Sequence, residues 1–158
     1  NTLGNKRQVF LVSLGGFDLH DNLIENQPLL LGKVSAAMTA FYNATVELGI
    51  ADKVTAFTAS DFGRTLDSNG QGSDHSWGAH HLIMGGAVRG NETYGIWPET
   101  ALRGPNDVGR GSLLQTRAVE QYAGTLAKWF GVPASDMTSV VPRAGNWSNM
   151  DLGFMNAA

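Results

Sequence analysis

The sequence has 158 residues, 42% of them hydrophobic, and a net charge of -3 from 11 basic and 14 acidic residues. That is one domain's length, with no basic stripe for nucleic acid and no apolar run near the ~18 residues of a membrane span. The absence of cysteine excludes disulfides, iron–sulfur clusters, thiolate zinc sites and cysteine nucleophiles. Charged residues are only 16%, against about 25% in a typical domain, so part of the surface is expected to be covered. Asn1 is not an initiator Met and no charged-then-apolar leader precedes Val9, which reads as a processed, truncated or excised piece.

Gln8 to Leu14 is a short apolar run stopped by Gly15-Gly16, and it predicts a buried strand. A polar loop follows over 18–27. Pro28 stands where a helix is expected to begin. From there to Leu48 the spacing is helical, with Val34, Met38, Phe41, Thr45 and Leu48 on one face and Ala37 and Ala44 beside them. Gly49 is the expected stop. Val54 to Ser60 reads as a second strand, so strand, helix and strand predict a parallel pair with a right-handed crossover. Residues 61–78 are expected as a glycine-rich loop, His81 to Val88 as a third strand, and 89–112 as turns. Thr116 is the expected cap of a second helix through Phe130, with Val119, Tyr122, Ala123, Leu126 and Phe130 inward. Gly131 and Pro133 end it, and the tail after Pro142 is expected to be irregular. The predicted class is α/β, a thin doubly wound sheet whose ligand site lies at the carboxyl ends of its strands.

The first two predicted strands run into loops rich in chemistry. After the first come Asp18 and His20; after the second come Asp61 and Arg64, then Asp74, His75, His80 and His81. Parallel neighbouring strands would bring Asp18, His20, Asp61 and Arg64 to one edge, with His75 folding back onto them. Imidazole and carboxylate together suit a divalent metal, and nitrogen and oxygen ligands without sulfur favour an open, catalytic site. Arg64 offers a planar fork to an oxyanion. Structural roles stand beside these. Asp74 and His75 would make a turn hydrogen bond, Arg64 would pair with Asp67, and Asp61 would cap a short helix. Trp77 and Trp97 read as packing residues.

The segments Gly15-Gly16-Phe17-Asp18-Leu19-His20, Ser60-Asp61-Phe62-Gly63-Arg64-Thr65 and Gly72-Ser73-Asp74-His75, in that order, resemble one bacterial family. It is domain-of-unknown-function family 1501, a group of exported proteins. Gln121-Tyr122-Ala123 and Leu126 to Gly131 resemble that family's late helix. The family is similar to the alkaline phosphatase and sulfatase superfamily. The resemblance implies a three-layer α/β/α fold with a mostly parallel sheet, incomplete here, in which residues 1–158 form the C-terminal part of a larger domain. It implies one or two divalent ions (zinc, manganese or calcium) on Asp18, His20, Asp61 and His75. Asp74 and His80 would stand behind these ligands or substitute for them. Arg64 would be the catalytic cation on a phosphate or sulfate ester, with the nucleophile unknown. The alternative it leaves is a non-catalytic exported binding or scaffold protein. The implied partners are a missing N-terminal part of the parent chain or a second copy, together with a small anionic ester. The implied location is periplasmic or extracellular.

Overall fold

The computed structural model describes residue 4 and residues 6–156. Helix α1 covers Leu23–Glu47 and is followed by a 3-10 turn at Ala51–Lys53. Four short strands come next: β1 Thr55–Phe57, β2 Gly63–Ser68, β3 Ser73–Ser76 and β4 Ile83–Gly85. Helix α2 covers Val119–Phe130 and the one-turn α3 Met137–Val140, with 3-10 turns at Ala134–Asp136 and Ala144–Asn146. Among the described residues no helix is long and apolar enough to cross a membrane.

The three-layer α/β/α fold with a parallel sheet is not what forms. Among the described residues there are two separate two-stranded sheets, β1 with β4 and β2 with β3, and both are antiparallel. The apolar run from Val9 to Leu14, expected as the first strand, belongs to no ladder, and Leu11 is 95% exposed. A run apolar on both faces becomes a strand only when neighbours flank it and layers cover it. Neither sheet reaches it. The second predicted strand contracts to Thr55–Phe57 and pairs in register with Ile83–Gly85, Thr55 opposite Gly85 and Phe57 opposite Ile83. Without a parallel pair there is no crossover connection.

The expected loop at 61–78 is instead a β-hairpin. Gly63 lies opposite Ser76 and Arg64 opposite His75, with an irregularity before Ser68 meets Ser73. Gly70 and Gln71 make the turn between Asn69 and Gly72. Gly70 has φ 115, Asn69 N–H bonds Gly72 O at 3.1 Å, and Asn69 Oδ1 accepts Gly72 N–H at 2.8 Å. Glycine supplies the positive φ at the first central position, and the asparagine side chain closes the turn.

Helix α1 begins at Leu23, ahead of the expected start, so Pro28 lies inside it. Its least exposed side runs through the half-buried Leu30, Val34 and Met38 to the buried Thr45, near the 3.6-residue period. Phe41 and Leu48, expected inward, are exposed. Gly49, at φ 68, ends the helix as expected. Gly49 N–H bonds Val46 O and Ile50 N–H bonds Thr45 O, both at 2.9 Å, which is a Schellman ending. Helix α2 is capped at its start by Gln121, whose side chain accepts Ala118 N–H at 3.1 Å. The expected cap, Thr116, bonds Ile96 O at 2.6 Å instead. Val119, expected inward, is exposed.

The tail after Pro142 supplies the most buried large side chain. Phe154 has no exposed surface and packs against Tyr94 and Tyr122, with ring centroids 5.7 and 5.9 Å away. Thr125 anchors the tail to α2, its hydroxyl donating to Gln121 O and accepting Leu152 N–H, both at 2.8 Å.

Candidate metal centre

The β2–β3 hairpin and the 15–22 loop build one cluster. The loop crosses the hairpin turn at Gly72, where an added Cβ would stand 2.4 Å from Leu19 O and 2.6 Å from His20 O. Only glycine permits that approach. Asn69 Nδ2 then bonds His20 O at 3.0 Å, and the first amide of α1, Leu23 N–H, bonds Gln71 O at 3.2 Å. These contacts carry Asp18 and His20 onto the strand that bears His75.

Three ligand atoms converge there. Asp18 Oδ1 lies 2.7 Å from His75 Nε2 and 3.0 Å from His20 Nε2. The two imidazole nitrogens are 3.2 Å apart. Asp18, His20 and His75 are the one group of metal-binding type among the described residues. Arg64, opposite His75 in the ladder, gives Nη2–H to Asp18 Oδ1 at 2.9 Å and to Phe17 O at 2.8 Å. Its Nη1–H goes to Ser73 O. Arg64 therefore pairs with Asp18 rather than Asp67, and its side chain is only 15% exposed. The His75 hydrogen bond, with Arg64 next, holds the Asp18 carboxyl below its ordinary 3.8. Phe62 closes one side, its ring flat against His75 at 3.9 Å and 7°.

Behind His20 stands Asp74. Its Oδ1 lies 3.3 Å from His20 Nδ1 and accepts Asn69 Nδ2–H at 3.2 Å. Its Oδ2 meets Arg110 Nη1 at 2.7 Å. Arg110, then Asn69, hold the Asp74 carboxyl below 3.8.

Asp61 is exposed and is not part of the converging group. His80 stacks on Trp97 at 4.4 Å, and His81 on Tyr122 at 5.4 Å. Trp77 and Trp97, expected as packing residues, are 59% and 61% exposed. Asn69 and Arg110 were not legible as site residues. The local signs were the Asn-Gly turn and an arginine between two glycines.

Two imidazoles and one carboxylate on one face are the donor set of open catalytic zinc sites and of facial triads. With bonds of ~2.05 Å, ligand atoms sit ~3.3 Å apart on a tetrahedron and ~2.9 Å apart on an octahedron. At separations of 2.7 to 3.2 Å, the closest pair, Asp18 and His75, needs about 0.2 Å of opening for an octahedral ion and about 0.6 Å for a tetrahedral one. The residues fit a single ion.

Fold and cluster define a small α+β chain with a solvent-facing His-His-Asp centre of metal-binding type. The chain belongs to the family described as protein of unknown function (DUF1501), which it matches over residues 2–121. No curated protein and no solved structure matches it.

Proposed function

We propose that the chain is a metal-dependent hydrolase acting on phosphate or sulfate esters, with one zinc or manganese ion on Asp18, His20 and His75. The observation that carries this is the convergence of those three ligand atoms within 4.8 Å of one another, on half-exposed side chains beside a guanidinium. Two nitrogen donors speak against calcium, which takes oxygen ligands. A bound ion would supply Lewis acidity at the ester oxygen.

The chain's own groups do the rest. Arg64 keeps Asp18 ionised and oriented, and adds positive field where an anion would arrive. Phe62 shields one face of His75 from water. Hydroxyls on and near the hairpin are not free for attack: Ser60 Oγ donates to Phe62 O at 2.8 Å, Thr58 Oγ1 accepts Leu82 N–H at 2.9 Å, and Ser73 is buried. A water activated by the ion is the nucleophile this reading assigns.

That same engagement supports a second reading, a metal-holding module without catalysis. The two are separated by measuring zinc and manganese binding to the parent chain, Asp18→Ala and His75→Ala, beside turnover of chromogenic phosphate and sulfate esters. Hydrolysis that both variants abolish is the expected result. Metal binding without turnover of any ester selects the module, and unchanged metal binding in both variants removes the site.

A further inference from the structure

The chain leaves a large apolar surface uncovered. It exposes 10955 Å², where a compact monomer of its 16.8 kDa exposes about 7,700 Å², an excess of about 3,300 Å² on that scaling. In the run Gln8 to Leu14, Val9, Phe10, Leu11 and Val12 are each at least 76% exposed. No backbone hydrogen bond joins that run to another described residue. It is nonetheless held at both ends. The Arg7 guanidinium packs on the end of α2, where a Cβ at Gly131 would stand 2.5 Å from Nη2, and Gly16 lies against Leu30 of α1, whose side chain is 3.3 Å from an added Cβ. Helix α1 carries only Glu25, Lys33 and Glu47 as charges, and Ile24 and Leu31, seven residues apart on one face, are exposed. A helix so poor in charge is normally covered on more than one side.

We propose that residues 8–14 form the contact strand of a homodimer, pairing antiparallel with the same run of a second copy about a two-fold axis at Leu11. The proposal is independent of the metal reading. Area favours a second copy as the occupant. A standard interface takes about 800 Å² from each partner and an obligate homodimer about 1,000–2,500 Å², both within the excess. Obligate homodimers have the most apolar interfaces, close to a domain core cut in half, and among the described residues the buried hydrophobic side chains are only Ala87, Val141, Ala144 and Phe154. Charge agrees, since no charged residue lies between Arg7 and Asp18 and two copies of the run meet without repulsion. Register agrees as well. In a two-fold contact residue i meets j as j meets i, so with Leu11 on the axis Phe10 faces Val12 of the second copy and Val9 faces Ser13. Aromatic and β-branched side chains directly opposite stabilise paired strands. Arg7 falls opposite Gly15 and does not meet its own copy. Phe10, Val12 and Leu14 of both copies then share one face. Ile24 and Leu31 offer the apolar cover that a two-stranded ribbon needs.

The oligomeric state tests this. Sedimentation equilibrium of the full chain at micromolar concentration is expected to give twice 16.8 kDa, with slowed exchange at alternate amides of 9–13. Leu11→Lys sets two ammonium groups against each other on the axis and should weaken the dimer by roughly 100-fold or more. Leu11 faces solvent in the single chain, so the far-ultraviolet circular dichroism of that variant stays that of the parent. The chain has no cysteine, which allows a second variant to report the axis directly. Leu11→Cys is expected to give one cross-linked dimer under mild oxidant, because only a residue on the axis meets itself within disulfide reach. Val9→Cys, on the same run and similarly accessible, is expected to stay uncross-linked. A monomer at every concentration, open-ended assembly beyond two copies, a dimer that Leu11→Lys leaves intact, or equal cross-linking of Val9→Cys and Leu11→Cys each overturns the proposal.

Discussion

The ring of Phe62 lies parallel to the imidazole of His75, 3.9 Å away and tilted by 7°. The guanidinium carbon of Arg64 sits 5.4 Å from the centre of the same ring. Phe62 thus keeps His75 in the rotamer that reaches Asp18. Phe62→Ala is expected to free the imidazole and lower zinc affinity on the order of tenfold. Chelator competition checks this, with far-ultraviolet circular dichroism confirming the fold.

Two glycines predict opposite outcomes. At Gly72 a methyl group would stand 2.4 to 2.6 Å from the backbone of Leu19 and His20, so Gly72→Ala should cost about 1–3 kcal/mol and displace His20 from the cluster. Gly32, inside α1, has nothing within 4 Å of an added Cβ. Gly32→Ala should stabilise by about 1 kcal/mol through helix propensity. Urea midpoints of both variants, and zinc affinity of the first, decide the matter.

Thr125 is 2% exposed and its hydroxyl serves α2 and the tail together. Thr125→Val keeps the shape but leaves Leu152 N–H without its acceptor. The expected cost is about 1–3 kcal/mol, seen in equilibrium unfolding, with faster amide exchange at Leu152.

Burial, and secondarily the charge of His80, lower the pKa of His81 from its ordinary 6.5. The unfolded chain therefore takes up this proton first as pH falls. The contribution of His81 to stability is complete above 6.5 and declines below it until the folded pKa is passed. His81→Phe, which keeps the stack on Tyr122, should be less sensitive than the parent between pH 7 and pH 5. Urea midpoints across that range give the slope, and identical slopes would remove the argument.

Both long helices were legible because a 3.6-residue period and a terminal glycine are local signals. Val34, Met38 and Thr45 pack as the period requires, and Gly49 and Gly131 end their helices. Thr55–Phe57 and Ile83–Gly85 fall inside runs that read as strands. Val9 to Leu14 shows the limit of such reading, since apolarity marks a segment as fit for a sheet without supplying its partners. Direction was equally out of reach, because pairing sense depends on segments far apart in sequence. Asp18, His20 and His75 were legible from residue type. Asp61 joins them in the sequence through a parallel pair that does not form and through the family resemblance, and in the structure it lies outside the converging group. Arg110 comes from a stretch without periodicity, so nothing linked it to Asp74.

The contact between His75 and Asp18 joins positions 57 residues apart, and the whole of α1 lies within the circuit it closes. Bringing such ends together costs roughly 3.5 kcal/mol in chain entropy before any constant. Whatever occupies the cluster therefore acts as a clasp on the long helix as well as an occupant of a surface site. Loading the centre should slow amide exchange along α1, so the helix itself would report on the state of the centre.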